Sequence, residues 1–179
     1  KKIKSVHDCQ LTTEIIKRKA TYNESFIKKN VMFLGLKNCG KSSLVGKLMH
    51  KLDLVDKNLF DVYVQESKKL FPERKEFVPY SWISDTAVDE RIKEITTQTN
   101  ISHLNFKENY VKIYDTPGKF RNFNSSLKDM FLIDNFFICI EADINKLLNE
   151  NNLNFIKNQI KLIHYGQNVK FFNLLLTKI

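Results

Sequence analysis

The run GLKNCGKSS, residues 35–43, constrains the fold of this chain more than any other feature. It follows directly on the apolar stretch VMFL, residues 31–34, and fits the pattern GxxxxGKS. The apolar stretch predicts a short buried strand, and apolar residues at positions 44–52 recur at helical spacing after the run. Strand, loop and helix in this order predict a phosphate-binding loop.

The loop contains the residue types that hold a phosphate group. Gly35 and Gly40 permit backbone conformations that turn successive N–H groups inward, and the following helix presents its positive end to the same anion. Lys41 is expected to reach the outer phosphates, and Ser42 to offer its hydroxyl to magnesium. A chance glycine-rich turn is the alternative, and the predicted strand and helix beside the loop argue against it. The loop residues predicted to contact a nucleotide are Gly35, Lys37, Asn38, Cys39, Gly40, Lys41, Ser42 and Ser43.

A second motif, DTPG at residues 115–118, ends a predicted strand at residues 110–114. A carboxylate at the C-terminal edge of a strand, across from the phosphate loop, can hold magnesium through water. Gly118 lets its backbone N–H approach the last phosphate. DTPG alone is equally compatible with an ordinary turn. Together with the phosphate loop, it favours a GTPase-type site over a kinase.

The rest of the chain alternates strand-like and helix-like segments. Residues 53–97 predict helical pieces joined by loops, and residues 100–107 and 110–114 predict a hairpin with its turn at 108–109. A helix is expected near residue 125, a central parallel strand at 136–140, a helix closed by Gly166, and a buried strand at 169–176. The pattern predicts an α/β fold with a mostly parallel sheet and helices on both faces.

Composition narrows the function classes. A net charge of +9 in 179 residues favours anionic partners such as RNA, ribosomes or acidic proteins, although lysines spread along the chain fit a solvated surface equally well. The chain lacks both the roughly 18 consecutive apolar residues of a membrane span and an apolar signal-peptide run, which predicts a soluble intracellular protein without a membrane partner. Cys9, Cys39 and Cys139 lack CxxC spacing and predict reduced thiols.

Several segments together resemble the translational GTPases related to elongation factor one-alpha, eukaryotic release factor three and the Hbs factors. GLKNCGKSS is similar to their GHVDSGKST, and IYDTPGKFRNF at residues 113–123 is similar to VIDAPGHRDF. SWISD at 81–85, followed by DER at 89–91 and EIT at 94–96, resembles AWVLD and ERERGIT. YVQESKK at 63–69 is most similar to the Hbs ribosome-rescue factors. The resemblance covers residues 30–179 and implies a P-loop NTPase G domain.

The resemblance also implies a domain organisation and a ligand set. Residues 1–29 are then a basic N-terminal arm and residues 30–179 a GTP-binding domain. Thr177 and Lys178 fall where the guanine-reading motif NKxD begins, and we expect the C-terminal part of the domain to be missing from this sequence. The implied ligands are GTP, with Gly118, Thr177 and Lys178 as further contacts, and magnesium. The implied magnesium ligands are Ser42, Thr96 and Asp115.

Some residues depart from the family pattern. Lys119 stands where relatives carry the histidine that orients the attacking water, and Lys37 replaces a valine that helps to gate that histidine. An ammonium has no acceptor and cannot steer a water as a neutral imidazole can, but near the terminal phosphate it can hold that group by charge. Glu94 replaces a glycine beside Thr96, and Asn38 replaces an aspartate. We therefore expect GTP binding with little or no hydrolysis and assign no catalytic residue.

The superkiller branch of the Hbs-like group combines such a body with a missing catalytic histidine. This resemblance implies an adaptor in cytoplasmic mRNA decay, including nonstop decay, that bridges the Ski complex to the exosome. Two alternatives stay open. One is an active Hbs-type GTPase that delivers a tRNA-like rescue factor to stalled ribosomes, with the lysines in solvent and another residue supporting hydrolysis. The other is an RNA-binding module with a vestigial phosphate loop.

Overall fold

The computed structural model describes residues 27–74, 76–106, 109–167 and 172–178. Within these ranges the chain forms a five-stranded sheet with the order β2-β3-β1-β4-β5. β2 and β3 form an antiparallel hairpin, and the other neighbouring pairs are parallel. This is the mostly parallel α/β architecture that the sequence predicts. The strands are β1 (Ile27–Gly35), β2 (Asn100–Phe106), β3 (Asn109–Asp115), β4 (Asn135–Glu141) and β5 (Asn173–Thr177).

Helices connect the strands and cover the sheet. The helix Lys57–Leu70 follows an N-cap aspartate, Asp56, whose carboxylate accepts from two backbone N–H groups of the first turn. Within the described ranges every helix is too short or too polar to span a bilayer. The helices are α1 (Lys41–Lys51), α2 (Lys57–Leu70), α3 (Ser81–Ser84), α4 (Val88–Lys93), α5 (Phe120–Phe123), α6 (Leu127–Met130), α7 (Ile144–Leu148) and α8 (Glu150–Gln167), with a 3-10 turn at Asn124–Ser126.

Apolar side chains of β1 point alternately to the two faces of the sheet, as the geometry of a strand requires. Met32 and Leu34 join a core with Ile163 of α8 on one face. Phe33 joins a second core with Val45 of α1 on the other face. The sheet is therefore covered on both sides.

Some element boundaries differ from the sequence-based expectations. β1 begins at Ile27, so residues 27–29 of the predicted arm belong to the sheet, while residues 1–26 lie outside the described residues. α8 continues one residue past Gly166, which lies inside the helix and does not cap it. The hairpin is confirmed, although residues 107–108 of its turn are not described. The helix expected near residue 125 is divided between α5, the 3-10 turn and α6.

The prediction of a buried last strand was wrong. Of the predicted range, the described residues 173–176 lie in β5, but Leu174 and Leu176 are more than half exposed. In the described sheet β5 pairs with β4 on one side and lies at the edge. A run of apolar residues looks the same in an edge strand and in a central one, so the sequence pattern does not distinguish them.

Parallel pairing places the C-terminal ends of the central strands at one edge of the sheet. Phe33 of β1 is level with Asp115 of β3, and Gly35 is level with Cys139 of β4. The loop after β1 and the DTPG motif after β3 therefore meet at this edge, where ligands of open α/β sheets bind.

Candidate nucleotide-binding site

The loop between β1 and α1 turns through residues with positive φ angles. Gly35 has a φ of 135°, Asn38 of 59° and Gly40 of 93°. Glycine reaches such angles freely, and asparagine does so more easily than most residues. A Cβ at Gly35 would also lie 2.3 Å from the carbonyl oxygen of Cys139. The close approach of β1 and β4 thus requires glycine at the start of the loop.

Lys41 lies buried at the base of this loop, with only 5% of its surface exposed. Its ammonium donates hydrogen bonds to the carbonyl oxygens of Gly35 at 3.2 Å and Leu36 at 2.8 Å. A buried charge is costly unless it is hydrogen-bonded, and here the carbonyls of the loop hold it. The ammonium therefore has a fixed position beside the cavity that the loop encloses.

Asp115 is fully buried at the end of β3. Its Oδ2 atom accepts from the hydroxyl of Ser84 at 2.7 Å, whereas its Oδ1 atom has no hydrogen-bond partner among the described residues. Burial raises the pKa of Asp115 above its usual value, and the charge of Lys41 opposes this shift. A buried acceptor without a partner fits a cation or a metal-bound water.

Ser42 connects the remaining predicted magnesium ligands. Its Oγ atom lies 2.9 Å from the hydroxyl of Thr96, and the nearby Ser42 hydroxyl lowers the pKa of Asp115. The structure thus brings Ser42, Thr96 and Asp115 together. Two hydroxyls and a carboxylate are oxygen donors that suit magnesium held jointly with phosphates.

Asp85, at the end of α3, supports this group of ligands. Its Oδ1 atom accepts from Thr96 at 3.1 Å and from the side chain of Asn100 at 3.2 Å. Burial, and next the charge of Asp115, raise the pKa of Asp85 to about 7. Asp85 belongs to the SWISD segment that carries the family resemblance, but the sequence did not identify it as a site residue. Asp85 lies 11 residues before Thr96, and nothing in that spacing predicts their contact.

A cavity of about 270 Å³ lies over the loop. The predicted site residues that line it are Lys37, Asn38, Gly40, Lys41, Ser42, Ser43, Thr96, Gly118 and Lys178. Predicted residues that are not in its lining are Gly35, Cys39, Asp115 and Thr177. Further lining residues, for which the sequence predicted no nucleotide contact, are Arg74, Phe77, Ser81, Asp85, Glu94 and Ile95.

Two predicted residues outside the lining, Cys39 and Thr177, hold the loop by packing and hydrogen bonding. Cys39 is 1% exposed and packs into the core. The hydroxyl of Thr177 donates to the carbonyl oxygen of Cys39 at 2.5 Å and to that of Ile140 at 3.1 Å. The end of β5 is thereby attached to the phosphate loop. Lys178, next along the chain, reaches Glu141 at 3.3 Å.

Lys119 lies on the other side of Gly118. It lines a second cavity of about 320 Å³, together with Phe120 and Lys146, and it is absent from the lining of the first. Lys37 and Gly118 line both cavities. The expected contact between Lys119 and a terminal phosphate stays a prediction. Of these two lysines, Lys37 lines the cavity over the loop.

Aromatic residues near the site pack against one another. Trp82 is 1% exposed and meets Tyr63 edge to face, with ring centroids 6.0 Å apart. Tyr80 stacks on Phe60 at 5.5 Å. Phe77 differs, because it lines the cavity as well as packing. None of these contacts indicates a platform for stacking bases within the described residues.

Comparison with known families identifies the fold. The family described as "Elongation factor Tu GTP binding domain" matches residues 28–164. The chain belongs to this family. The match covers the phosphate loop, the DTPG motif and the segment between them, and it confirms the resemblance to translational GTPases.

Relatives of this elongation factor Tu family domain include complete translation factors. Elongation factor 1-alpha of Thermofilum pendens is 32% identical over 89 residues, which cover 50% of this chain and 20% of that protein. Protein HBS1 of Drosophila melanogaster is 32% identical over 89 residues, which cover 50% of this chain and 13% of that protein. The matched part is therefore about a fifth or less of these relatives.

Solved structures with this fold include the S. cerevisiae Ski7 GTPase-like domain. Its GTP-bound form has a TM-score of 0.63 and 17% identity, covering 90% of this chain and 44% of that one. The form bound to GDP and inorganic phosphate has a TM-score of 0.62 and 18% identity, covering 91% and 45%. At this identity the likeness supports the fold, in agreement with the predicted G domain.

Proposed function

We propose that this domain binds GTP with magnesium, hydrolyses it slowly or not at all, and acts as a GTP-bound adaptor in cytoplasmic mRNA decay. The observation that carries the proposal is that Asp115 lies beside Lys41 and Ser42, which line the cavity over the loop, while Lys119 lines the second cavity. Lys41, Ser42 and Asp115 would bind phosphate and metal. Lys119 cannot replace the histidine that orients the attacking water.

The residues around the cavity fit GTP and magnesium. Lys41 and the N–H groups of the loop would hold the phosphates, and Ser42, Thr96 and Asp115 would hold the metal directly or through water. Bound magnesium would neutralise charge on the outer phosphates. The phosphate loop itself requires a glycine at position 118, because a Cβ there would lie 2.4 Å from the backbone nitrogen of Lys37.

Weak hydrolysis follows from the acceptors available at the cavity. Lys119 has donors and no acceptor, so it cannot take a proton from a water. Among the described lining residues the carboxylates are Asp85 and Glu94. Asp85 accepts from Thr96 and Asn100, and Glu94 accepts from Arg74. Both are held by other groups, which favours a domain that retains GTP.

The adaptor role rests on similarity and charge. The Ski7 GTPase-like domain, solved with GTP, shares this fold, and the net charge of +9 suits anionic partners. We propose proteins of the exosome and the Ski complex as partners, RNA as a further ligand of the basic surface, and the cytoplasm as the location. The guanine-reading motif would begin at Thr177 and Lys178.

An active Hbs-type GTPase is the second candidate function. Its support is the 32% identity to protein HBS1 over 89 residues. In that case the protein would deliver a tRNA-like factor to stalled ribosomes and hydrolyse GTP there.

The nucleotide retained by the purified full-length protein tests the proposal. We expect intact GTP after long incubation with magnesium, and single-turnover rates that ribosomes do not change. Chromatography of the extracted nucleotide measures the first, and rapid-quench assays with and without ribosomes measure the second. Ribosome-stimulated turnover would favour the Hbs-type function, and failure to bind any guanine nucleotide would reject both.

Gly118→Ala is expected to weaken GTP binding by about tenfold or more, because its Cβ would meet the backbone of Leu36 and Lys37 at 2.4 to 2.6 Å. Backbone cannot move aside as a flexible side chain can, so the phosphate loop must shift. Calorimetric titration with GTP measures the change. Gly166→Ala is the control, since its Cβ meets nothing within 4 Å. Equal affinities for the two variants would contradict the prediction.

A further inference from the structure

Arg74 lines the cavity over the phosphate loop, and it belongs to none of the motifs found in the sequence. It lies between α2 and α3 in a folded turn. Its N–H donates to the carbonyl oxygen of Phe71 at 3.0 Å, and its own carbonyl oxygen accepts from the N–H of Phe77 at 3.0 Å. These two bonds hold the backbone of Arg74, whose side chain lines the cavity.

Two aromatic rings hold the guanidinium. Its central carbon lies 4.8 Å from the centroid of the Phe71 ring and 5.6 Å from that of Phe77. The two rings meet edge to face, with centroids 5.9 Å apart. Guanidinium groups are attracted to ring faces at such distances, and the rings leave the hydrogen-bonding edges of the group available.

Glu94 fixes the guanidinium from the opposite side. Nη1 of Arg74 donates to Oε1 of Glu94 at 2.6 Å. Glu94 is the C-cap of α4 and has a φ of 49°. Its N–H donates to the carbonyl oxygens of Glu90 and Arg91. This is a position that favours glycine, so the glutamate occupies it in spite of the backbone strain. Its side chain reaches into the cavity lining beside Arg74.

The location selects the part of the nucleotide that Arg74 would meet. Glu94 precedes Thr96 by two residues, and the hydroxyl of Thr96 lies against Ser42, the residue of the loop that serves magnesium and the outer phosphates. The bond to Glu94 uses one of five N–H donors of the guanidinium. Guanidinium is also the group best suited to paired hydrogen bonds with phosphate oxygens.

We infer that Arg74 binds the outer phosphates of the nucleotide, with Glu94 and the rings of Phe71 and Phe77 positioning its guanidinium. The inference rests on the proposed binding of GTP. It assigns to Glu94 a part that the glycine of the family pattern cannot play. It also gives the cavity a fourth cationic side chain beside Lys37, Lys41 and Lys178, contributed by a different segment of the chain.

A purely structural ion pair makes the opposite prediction for one variant. If Arg74 and Glu94 only stabilised the loop, Arg74→Ala and Glu94→Gln would disturb it alike. If Arg74 binds phosphate, Glu94→Gln keeps an Oε1 atom that can accept from Arg74 and position it, and removes only a negative charge that repels phosphate. Arg74→Ala removes the attraction and leaves that carboxylate in the cavity. The two variants then differ in the sign of their effect.

Calorimetric titration of the full-length protein with GTP and with GDP tests the inference. We expect Arg74→Ala to weaken binding by about tenfold to a hundredfold, the range for a hydrogen bond between charged groups. Arg74→Lys should retain part of the affinity, because it keeps the charge and loses the planar fork. Glu94→Gln should bind at least as tightly as the natural protein. Circular dichroism melting curves verify that each variant is folded.

Lys128→Ala, which removes an exposed positive charge outside the cavity lining, is the matched control and should change affinity by less than twofold. An Arg74→Ala variant that binds like this control would overturn the inference, as would a Glu94→Gln variant that loses as much affinity as Arg74→Ala. In both cases the proposed binding of GTP would stand. Absence of GTP and GDP binding by the natural protein would reject the proposed function and the inference together.

Discussion

Replacing Lys41 with methionine is expected to weaken GTP binding by about a hundredfold or more. Lys41 is 5% exposed and its ammonium is held by the carbonyl oxygens of Gly35 and Leu36, so it would meet the phosphates from a fixed position with little water to screen the charge. Methionine has a similar length and no charge. Calorimetric titration with GTP in the presence of magnesium measures the loss.

The same substitution should not unfold the protein. Lys41→Met removes the desolvation cost of a buried ammonium but also takes a donor from the carbonyl oxygens of Gly35 and Leu36, so the free energy of unfolding without nucleotide is expected to change little. Lys47→Met is a matched control on the same helix, because Lys47 is exposed and its ammonium lies 5.9 Å from the Tyr80 ring. We expect this variant to bind GTP within about twofold of the natural protein. Similar affinities for the two methionine variants would show that Lys41 does not contact phosphate.

The phosphate loop could be predicted because its determinants are local. A short apolar strand, glycines at the turns and a helix with apolar residues on one face lie consecutively in residues 31–52. The parallel pairing of β1 with β3 then brings DTPG beside the loop without any further information. The predicted meeting of Ser42, Thr96 and Asp115 followed from this topology together with the family resemblance.

Arg74 could not be predicted in the same way. It lies between α2 and α3 in a polar segment without helical or strand periodicity, and its partner Glu94 is 20 residues away. The sequence did reveal that Glu94 replaces a glycine, but not that the position keeps a left-handed backbone with a φ of 49°. Which charged groups meet across two loops depends on the tertiary fold, and no pattern along the chain encodes it.

The sequence also does not give the direction of the Lys119 side chain. The sequence places it directly after Gly118, and both residues flank the site. Gly118 lines both cavities, whereas Lys119 lines only the second. The direction in which the chain leaves Gly118 decides this outcome, because one residue later the backbone enters α5. Resemblance transfers the position of a residue more reliably than the direction of its side chain.

Gly46→Ala is expected to lower the free energy of unfolding by about 3 kcal/mol or more. Gly46 lies inside α1, where alanine is intrinsically favoured over glycine by about 1 kcal/mol. A Cβ at this position, however, would lie 1.8 Å from the carbonyl oxygen of Tyr80 and 2.7 Å from its carbonyl carbon. The helix can accommodate it only by moving away from the backbone at the start of α3. Urea denaturation followed by circular dichroism measures the change.

Gly166→Ala provides the comparison, since Gly166 also lies inside a helix and its Cβ would meet nothing within 4 Å. Alanine there should raise the free energy of unfolding by up to about 1 kcal/mol. Helix propensity acts in the same direction in both variants, so opposite signs isolate the contact between α1 and Tyr80. A Gly46→Ala variant as stable as the natural protein would show that this contact is absent. Because Ser84 and Asp85 hydrogen-bond to Asp115 and Thr96, two of the proposed magnesium ligands, displacement of α3 should also reduce GTP affinity.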